Sequence, residues 1–284
     1  MAADLGLAPR ELIAEAAATL TRAGIGEARR ESVRIWAGLD RRSTASITLE
    51  DEPVSAKRTA AFLGAVRRRA TGEPLAHVTG WTGFRHLILR VDRRALIPRP
   101  ETEGLVALVL ARVRGGRVAD VGTGTGCIAL SLATEGTYAQ VVGIELSSDA
   151  LALAAENRRE TGADVSLVRG DLTHALPPGS FDALVSNPPY LTTGEYAALD
   201  RSVRDWEPEL ALAAGADGLA AIARLLEDGR RVLRPGGWVA VEIDVSRAAQ
   251  CAARAGASGY VDVAIHADLF GRERYLLARR SDAE

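Results

Sequence analysis

No apolar run in the 284-residue chain approaches the ~20 residues that a bilayer-spanning helix needs. The opening residues carry Asp4, Glu11 and Glu15 and no apolar h-region, so neither a signal nor a transit peptide is expected. Cysteine is nearly missing. Cys127 and Cys251 stand far apart, which fits no metal-ligand spacing and no disulfide framework. A reducing cytoplasm is the expected compartment. Lysine is scarcer still: Lys57 is the sole lysine among 35 basic residues, and 37 acidic residues leave a net charge of −2. That balance supplies no global basic field, so no direct nucleic-acid partner is expected, and the lack of a long apolar run gives no membrane as the expectation. There is no internal repeat and no low-complexity tract.

What is present suits a soluble globular chain of about two domains, with 47% hydrophobic and 25% charged residues. Residues 1–72 read as a small helical bundle. Pro9 can open a helix, and Leu12, Ile13, Ala16 and Leu20 recur at helical spacing until Gly24. A second helix carries Val33, Ile35, Trp36 and Leu39, and a third starts near Pro53 and carries Phe62, Leu63 and Val66. Arg67-Arg68-Arg69 reads as a solvated helix face. Residues 73–97 change character: Leu87–Val91 and Ala95–Ile97 flank Asp92-Arg93-Arg94, predicting a β-hairpin connector. Pro100 can then take the first position of a new helix, with Glu101 and Glu103 at its positive end. Helix-start chemistry leaves Arg99 unexplained, and it stands as a functional candidate.

Residues 98–284 alternate strands and helices, which predicts a mostly parallel α/β sheet covered on both faces. The first strand, 117–121, runs into Gly122-Thr123-Gly124-Thr125-Gly126. Glycines admit close approach of a ligand, and the following helix N-terminus favours a negative group. Glu145 ends the second strand, where a carboxylate can accept from both hydroxyls of a ribose. The dinucleotide fingerprint wants a Gly or Ala where Cys127 stands. The tighter G-x-G-x-G spacing, with Asp120 two residues upstream, resembles the S-adenosylmethionine loop of class I methyltransferases instead.

The fourth strand, Phe181–Val185, ends in Ser186-Asn187-Pro188-Pro189-Tyr190. Two prolines forbid continuation of the strand and leave carbonyls without a ladder partner. Asn187 adds a side-chain acceptor and Tyr190 a flat aromatic face. The stretch makes either a stiff turn or a clamp for a planar –NH2 group, and both readings stand at this point.

With both loops in place, the chain resembles the protein-(glutamine-N5) methyltransferases that modify class I peptide chain release factors, the PrmC/HemK family. The resemblance is carried by Gly72-Glu73-Pro74, by Leu96-Ile97-Pro98-Arg99-Pro100-Glu101-Thr102-Glu103, by Asp120–Gly126, by Asn187–Tyr190 and by Val203-Arg204-Asp205-Trp206-Glu207-Pro208. It departs at His77, where an aromatic hydroxyl is usual, and at Glu242-Ile243-Asp244, which replaces Glu-Ile-Gly. The resemblance implies a class I methyltransferase Rossmann-like domain over 98–284 and a helical domain over 1–72 that docks the release factor. The implied reaction carries a methyl group from S-adenosylmethionine to the side-chain amide nitrogen of the glutamine in a Gly-Gly-Gln motif.

The cofactor site is then expected at Asp120, Gly122, Thr123, Gly124, Thr125, Gly126, Glu145, Asp171, Leu172 and Asn187. The glutamine is expected at Asn187, Pro188, Pro189 and Tyr190, with Phe84 packing on the amide and Arg99 nearby. Catalytic roles fall to Asn187, Pro188 and Tyr190. Transfer neutralises the sulfonium, so positioning and electrostatics are enough and no metal is called for. Two other substrates share the Asn-Pro-Pro-Tyr loop: a ribosomal-protein glutamine and the exocyclic nitrogen of adenine in a nucleic acid.

Overall fold

The computed structural model describes residues 8–48 and 52–282; Asp4 lies outside them. The chain divides into two compact units, Met1–Trp81 with Asp200–Trp206, and Thr82–Leu199 with Glu207–Glu284.

The first unit is helical: α1 (Pro9–Arg22), α2 (Ala28–Leu39), α3 (Thr44–Thr48), α4 (Ala56–Ala70) and α5 (Leu75–Thr79). Leu12, Ala16 and Leu20 of α1 face Ile35 and Trp36 of α2 and Phe62 and Val66 of α4 in one core. The Trp36 and Phe62 rings meet edge-on at 4.6 Å. The third predicted helix begins at Ala56 rather than near Pro53, because Ser55 accepts from the Arg58 N–H and caps it. The arginine run is a solvated face only in part: Arg67 and Arg68 are exposed and Arg69 is half-buried, yet two of them have partners. Arg68 donates to Glu73 at 2.8 Å and to the His77 carbonyl at 3.0 Å, and Arg69 donates to Glu31 at 2.6 Å. Two of the three guanidiniums therefore staple α4 to its neighbours. Helix α5 falls within 73–97, the stretch expected to be the hairpin connector; Gly80, at φ +79°, ends it.

The second unit carries β1 (Trp81–Phe84, which it shares with the first at Trp81), β2 (Leu87–Arg90), α6 (Thr102–Arg112), β3 (Arg117–Val121), α7 (Cys127–Glu135), β4 (Gln140–Glu145), α8 (Ser148–Thr161) and β5 (Ser166–Arg169). Then come β6 (Phe181–Ser186), α9 (Thr193–Ala197), α10 (Arg201–Arg204, part of the first unit), α11 (Ala220–Val232), β7 (Leu233–Glu242), α12 (Ala248–Ala257), β8 (Tyr260–Ala267) and β9 (Glu273–Arg280). The hairpin is one strand earlier than the sequence suggests. It pairs β1 with β2, and Arg85, at φ 51°, makes the turn. Asp92–Arg94 does turn, Asp92 accepting from the Arg94 N–H at 3.0 Å, but Ala95–Ile97 joins no strand. The Ile97 N–H goes instead to the Glu207 carboxylate, 3.0 Å away. Helix α6 begins at Thr102, after a turn through Pro100 and Glu101.

The seven-stranded sheet has the order β5-β4-β3-β6-β7-β9-β8, with β3 to β7 parallel and β9 antiparallel to both its neighbours. Every residue of β6 is buried, as a central strand covered on both faces requires. The chain leaves β3 toward β4 on one side and returns to β6 on the other. That reversal opens a crevice beyond the carboxyl ends of these strands. Among the described residues no helix is long and apolar enough to cross a membrane.

Candidate active site

A cavity of about 260 Å³ occupies that crevice. Gly122, Thr123, Gly124 and Thr125 line it from the end of β3, Glu145 from β4, Asp171 and Leu172 from β5, and Asn187 and Pro189 from β6. Gly122 and Gly124 hold φ of +76° and +56°, a region that favours glycine. The Glu145 carboxylate is set by the backbone: one oxygen accepts from the Gly124 N–H and the other from the Ser147 N–H, each at 2.9 Å. Each oxygen keeps a lone pair free. Asp171 is held at 2.7 Å by Arg224, which also lines the cavity.

Asp120 and Gly126 are placed differently. Asp120 is fully buried beneath the loop, accepting from the Thr123 hydroxyl at 2.5 Å and the Ala129 N–H at 3.0 Å. Burial pushes its carboxyl up to about 7 against those two hydrogen bonds. It shapes the loop from below and does not line the cavity. Gly126 caps α7 at φ +86°.

The Asn187 loop is pinned at its base by the Ser186 hydroxyl, which donates to the Val121 carbonyl at 2.6 Å. Asn187 Nδ2 donates to Thr102 Oγ1 at 3.1 Å, and Thr102 Oγ1 donates to Glu242 Oε2 at 2.7 Å. The bond to Thr102 uses one of the two Asn187 N–H donors and turns the nitrogen toward Thr102, which leaves Oδ1 on the opposite branch of the amide. Pro188 is buried outside the lining, and its carbonyl accepts from no described main-chain N–H. Tyr190 sits half-buried beside the lining; burial, then the nearby Glu242 carboxylate, pushes its hydroxyl up to about 12. Leu191 exchanges hydrogen bonds with Leu212 and Ala214, which fixes the way out of the loop.

Phe84 does not reach the site. Its ring is 1% exposed and packs in the core with Leu89, Leu105 and Val106, because the inward face of β1 falls on that residue. Arg99 lines the cavity while its guanidinium donates to the buried Glu207 at 2.6 Å. That ion pair ties the Pro98–Glu103 segment to Glu207-Pro208. Three residues carry the site's architecture with no role foreseen from sequence: Thr102, Glu207 and Glu242. Glu242 had a usable signal, an acid at a strand's carboxyl end like Glu145. Asp244, where glycine is usual, has φ −73° and ψ 134°, a conformation open to any residue.

A glycine turn beside an aligned carboxylate suits a ribose. The walls at Ile128, Leu146 and Leu172 suit a flat base, so the residues present fit S-adenosylmethionine. Fold and crevice together define a class I S-adenosylmethionine-dependent methyltransferase. A methyltransferase structure from Pyrococcus furiosus shares the fold, with a TM-score of 0.53 at 20% identity over 80% of this chain and 100% of that one. Residues 101–205 match the methyltransferase small domain and residues 11–80 the PrmC N-terminal domain. The chain is 41% identical over 281 residues to the release factor glutamine methyltransferase of Deinococcus radiodurans, covering 96% of this chain and 98% of that one. It is 39% identical over 284 residues to the protein of the same name from Moorella thermoacetica, covering 96% and 99%. The chain belongs to the release factor glutamine methyltransferase family.

Proposed function

We propose that this enzyme transfers a methyl group from S-adenosylmethionine to the side-chain amide nitrogen of the glutamine in the Gly-Gly-Gln motif of class I peptide chain release factors. The carrying observation is the orientation of Asn187: one N–H is held by Thr102, which turns the nitrogen that way and leaves the oxygen as the acceptor we assign to a substrate –NH2. Similarity over nearly the whole chain to release factor glutamine methyltransferases favours a protein glutamine over an adenine or a ribosomal-protein glutamine. The helical unit, which matches the PrmC N-terminal domain, is our candidate for docking the release factor. A translation factor as substrate supports a cytoplasmic reaction.

Bound S-adenosylmethionine supplies a methyl group on a positively charged sulfur, a strong electrophile. Glu145 would hold its ribose, the glycine turn would admit its backbone approach, and Asp171 and Leu172 would border its base. The amide nitrogen is a poor nucleophile because its lone pair is delocalised into the carbonyl. The chain's task is to place that nitrogen and to favour the positive charge growing on it. Asn187 Oδ1 and the Pro188 carbonyl would take one amide hydrogen each. Tyr190 would border the amide plane. The nitrogen would gain a bond to the methyl carbon as the carbon–sulfur bond breaks and its electron pair returns to sulfur, leaving S-adenosylhomocysteine, and would then release one proton to solvent.

The test is incubation with methyl-labelled S-adenosylmethionine and a Gly-Gly-Gln release factor, repeated with that glutamine replaced. Label confined to the intact motif is expected. Label on the glutamine variant, or on DNA, would overturn the reading.

A further inference from the structure

We propose that Thr102 and Glu242 are positioning residues that set the polarity of Asn187, so that its oxygen rather than its nitrogen faces the substrate amide. The inference rests on the function proposed above and adds residues to it. A threonine hydroxyl has one proton to give. Here it goes to Glu242 Oε2 at 2.7 Å, so Thr102 Oγ1 can only accept from Asn187, 3.1 Å away. An Asn187 amide turned over would set its oxygen against an oxygen whose proton is already used. Thr102 and Glu242 are 2% and 1% exposed, so water cannot replace either partner.

The relay is braced from two sides. Tyr275 of β9 pairs with Glu242 across the sheet, and its hydroxyl donates to the Glu101 carbonyl at 2.6 Å, just ahead of Thr102. A Cβ at Gly104 would overlap that hydroxyl, so glycine there lets the first turn of α6 sit close to β9. The first turn that carries Thr102 is thereby tied to the strand that flanks Glu242.

The arrangement holds while Glu242 is ionised. A protonated Glu242 can itself donate to Thr102, which frees the threonine proton to turn toward Asn187 and lets the amide present its –NH2 to the crevice. The charged and titratable groups around Glu242 are Arg274 and Tyr275 from β9, Arg99 and Glu101 ahead of α6, Cys127 from α7 and Tyr190 after β6. Burial raises the Glu242 carboxyl to about 7, the Thr102 hydrogen bond opposing it.

The experiment compares wild type, Thr102→Val, Thr102→Ser and Glu242→Gln. Wild-type turnover on a release factor tests the underlying function by itself. Thr102→Val should lower kcat about ten- to a hundredfold, with cofactor affinity within about twofold of wild type, as expected for a residue that only orients another. Thr102→Ser, which keeps the hydroxyl, should restore most of the loss. The wild-type pH profile of kcat should show an acid limb that vanishes in Thr102→Val and in Glu242→Gln. A limb surviving in either, no limb in wild type, or no rescue by serine overturns the relay. A substrate-free readout stands beside these: in 15N NMR, the Asn187 side-chain –NH2 signal, assigned by its loss in Asn187→Ala, should have one exchange-protected proton. That protection should persist in Thr102→Ser and disappear in Thr102→Val. Equal exchange in all three would sink the proposal whatever the turnover shows.

Discussion

Replacing Arg99 by alanine should destabilise the second unit by an amount that can be worked out in advance. The Glu207 side chain is 1% exposed and accepts from Arg99 at 2.6 Å and from the Ile97 N–H at 3.0 Å. Without Arg99, a buried carboxylate keeps one backbone donor and no cation. Breaking a buried pair in this way costs roughly 3–5 kcal/mol. Arg99 is 33% exposed, so water can enter its place, and the lower end, about 3 kcal/mol, applies. For a unit of this size each kcal/mol moves Tm by about 2–4 °C, so a fall of about 6–12 °C is expected. Adding Glu207→Gln removes the charge yet keeps an oxygen for the Ile97 N–H. The double variant should recover about 2 kcal/mol, the signature of direct coupling. Scanning calorimetry of the two single variants, the double variant and wild type completes the cycle. An Arg99→Ala protein within about 1 kcal/mol of wild type, or a double variant no more stable than it, would refute the reasoning.

Asn187→Ala should lower kcat by about 10²–10³, as for loss of one hydrogen bond made to developing charge; near-wild-type single-turnover rates would remove Asn187 from its proposed role. Glu145→Ala should weaken S-adenosylmethionine binding by about 10- to 100-fold, the range for losing a hydrogen-bonded charged acceptor, and an unchanged Kd by calorimetry would refute the ribose assignment. Asp120→Asn should flatten the dependence of stability on pH. The folded carboxyl, at about 7, lies above its ordinary value of 3.8, so its favourable contribution is complete below that ordinary value and is lost as pH rises through about 7. Urea denaturation between pH 4 and 8 should show a smaller decline in the variant, and an identical slope would contradict the burial argument.

Local constraints were legible because residue type writes them directly. Alternating strands and helices announced the sheet, and the glycines at 122, 124 and 126 announced a loop that a ligand can approach closely. Pro188 and Pro189 marked where β6 must stop. Partners distant in sequence carry no such mark. Thr102 and Glu242 are 140 residues apart and Ile97 and Glu207 are 110 apart, so neither contact follows from periodicity. The hairpin was misplaced because Asp92-Arg93-Arg94 looks like a turn between apolar runs, and it is one. Strand β1, with Gly83 in a four-residue run, has too weak a pattern to compete. Arg67–Arg69 was legible in part: Arg67 and Arg68 are exposed, but the Glu31 that holds Arg69 lies 38 residues away and leaves no mark in the run.

Strand β9 comes later in sequence than both strands it separates. During synthesis from the amino end, β7 and β8 therefore emerge with no partner for the edges they will share, and both must wait. Tyr275, which ties the first turn of α6 to β9, arrives in that same last strand. The crevice beyond the parallel strands can thus be outlined early but not locked until the sheet closes, a long-range pairing of the kind that folds slowly. An unfinished chain would expose a sticky strand edge and have no fixed Thr102. Trimming back from the carboxyl end into β9 should cost the enzyme its turnover and its solubility together.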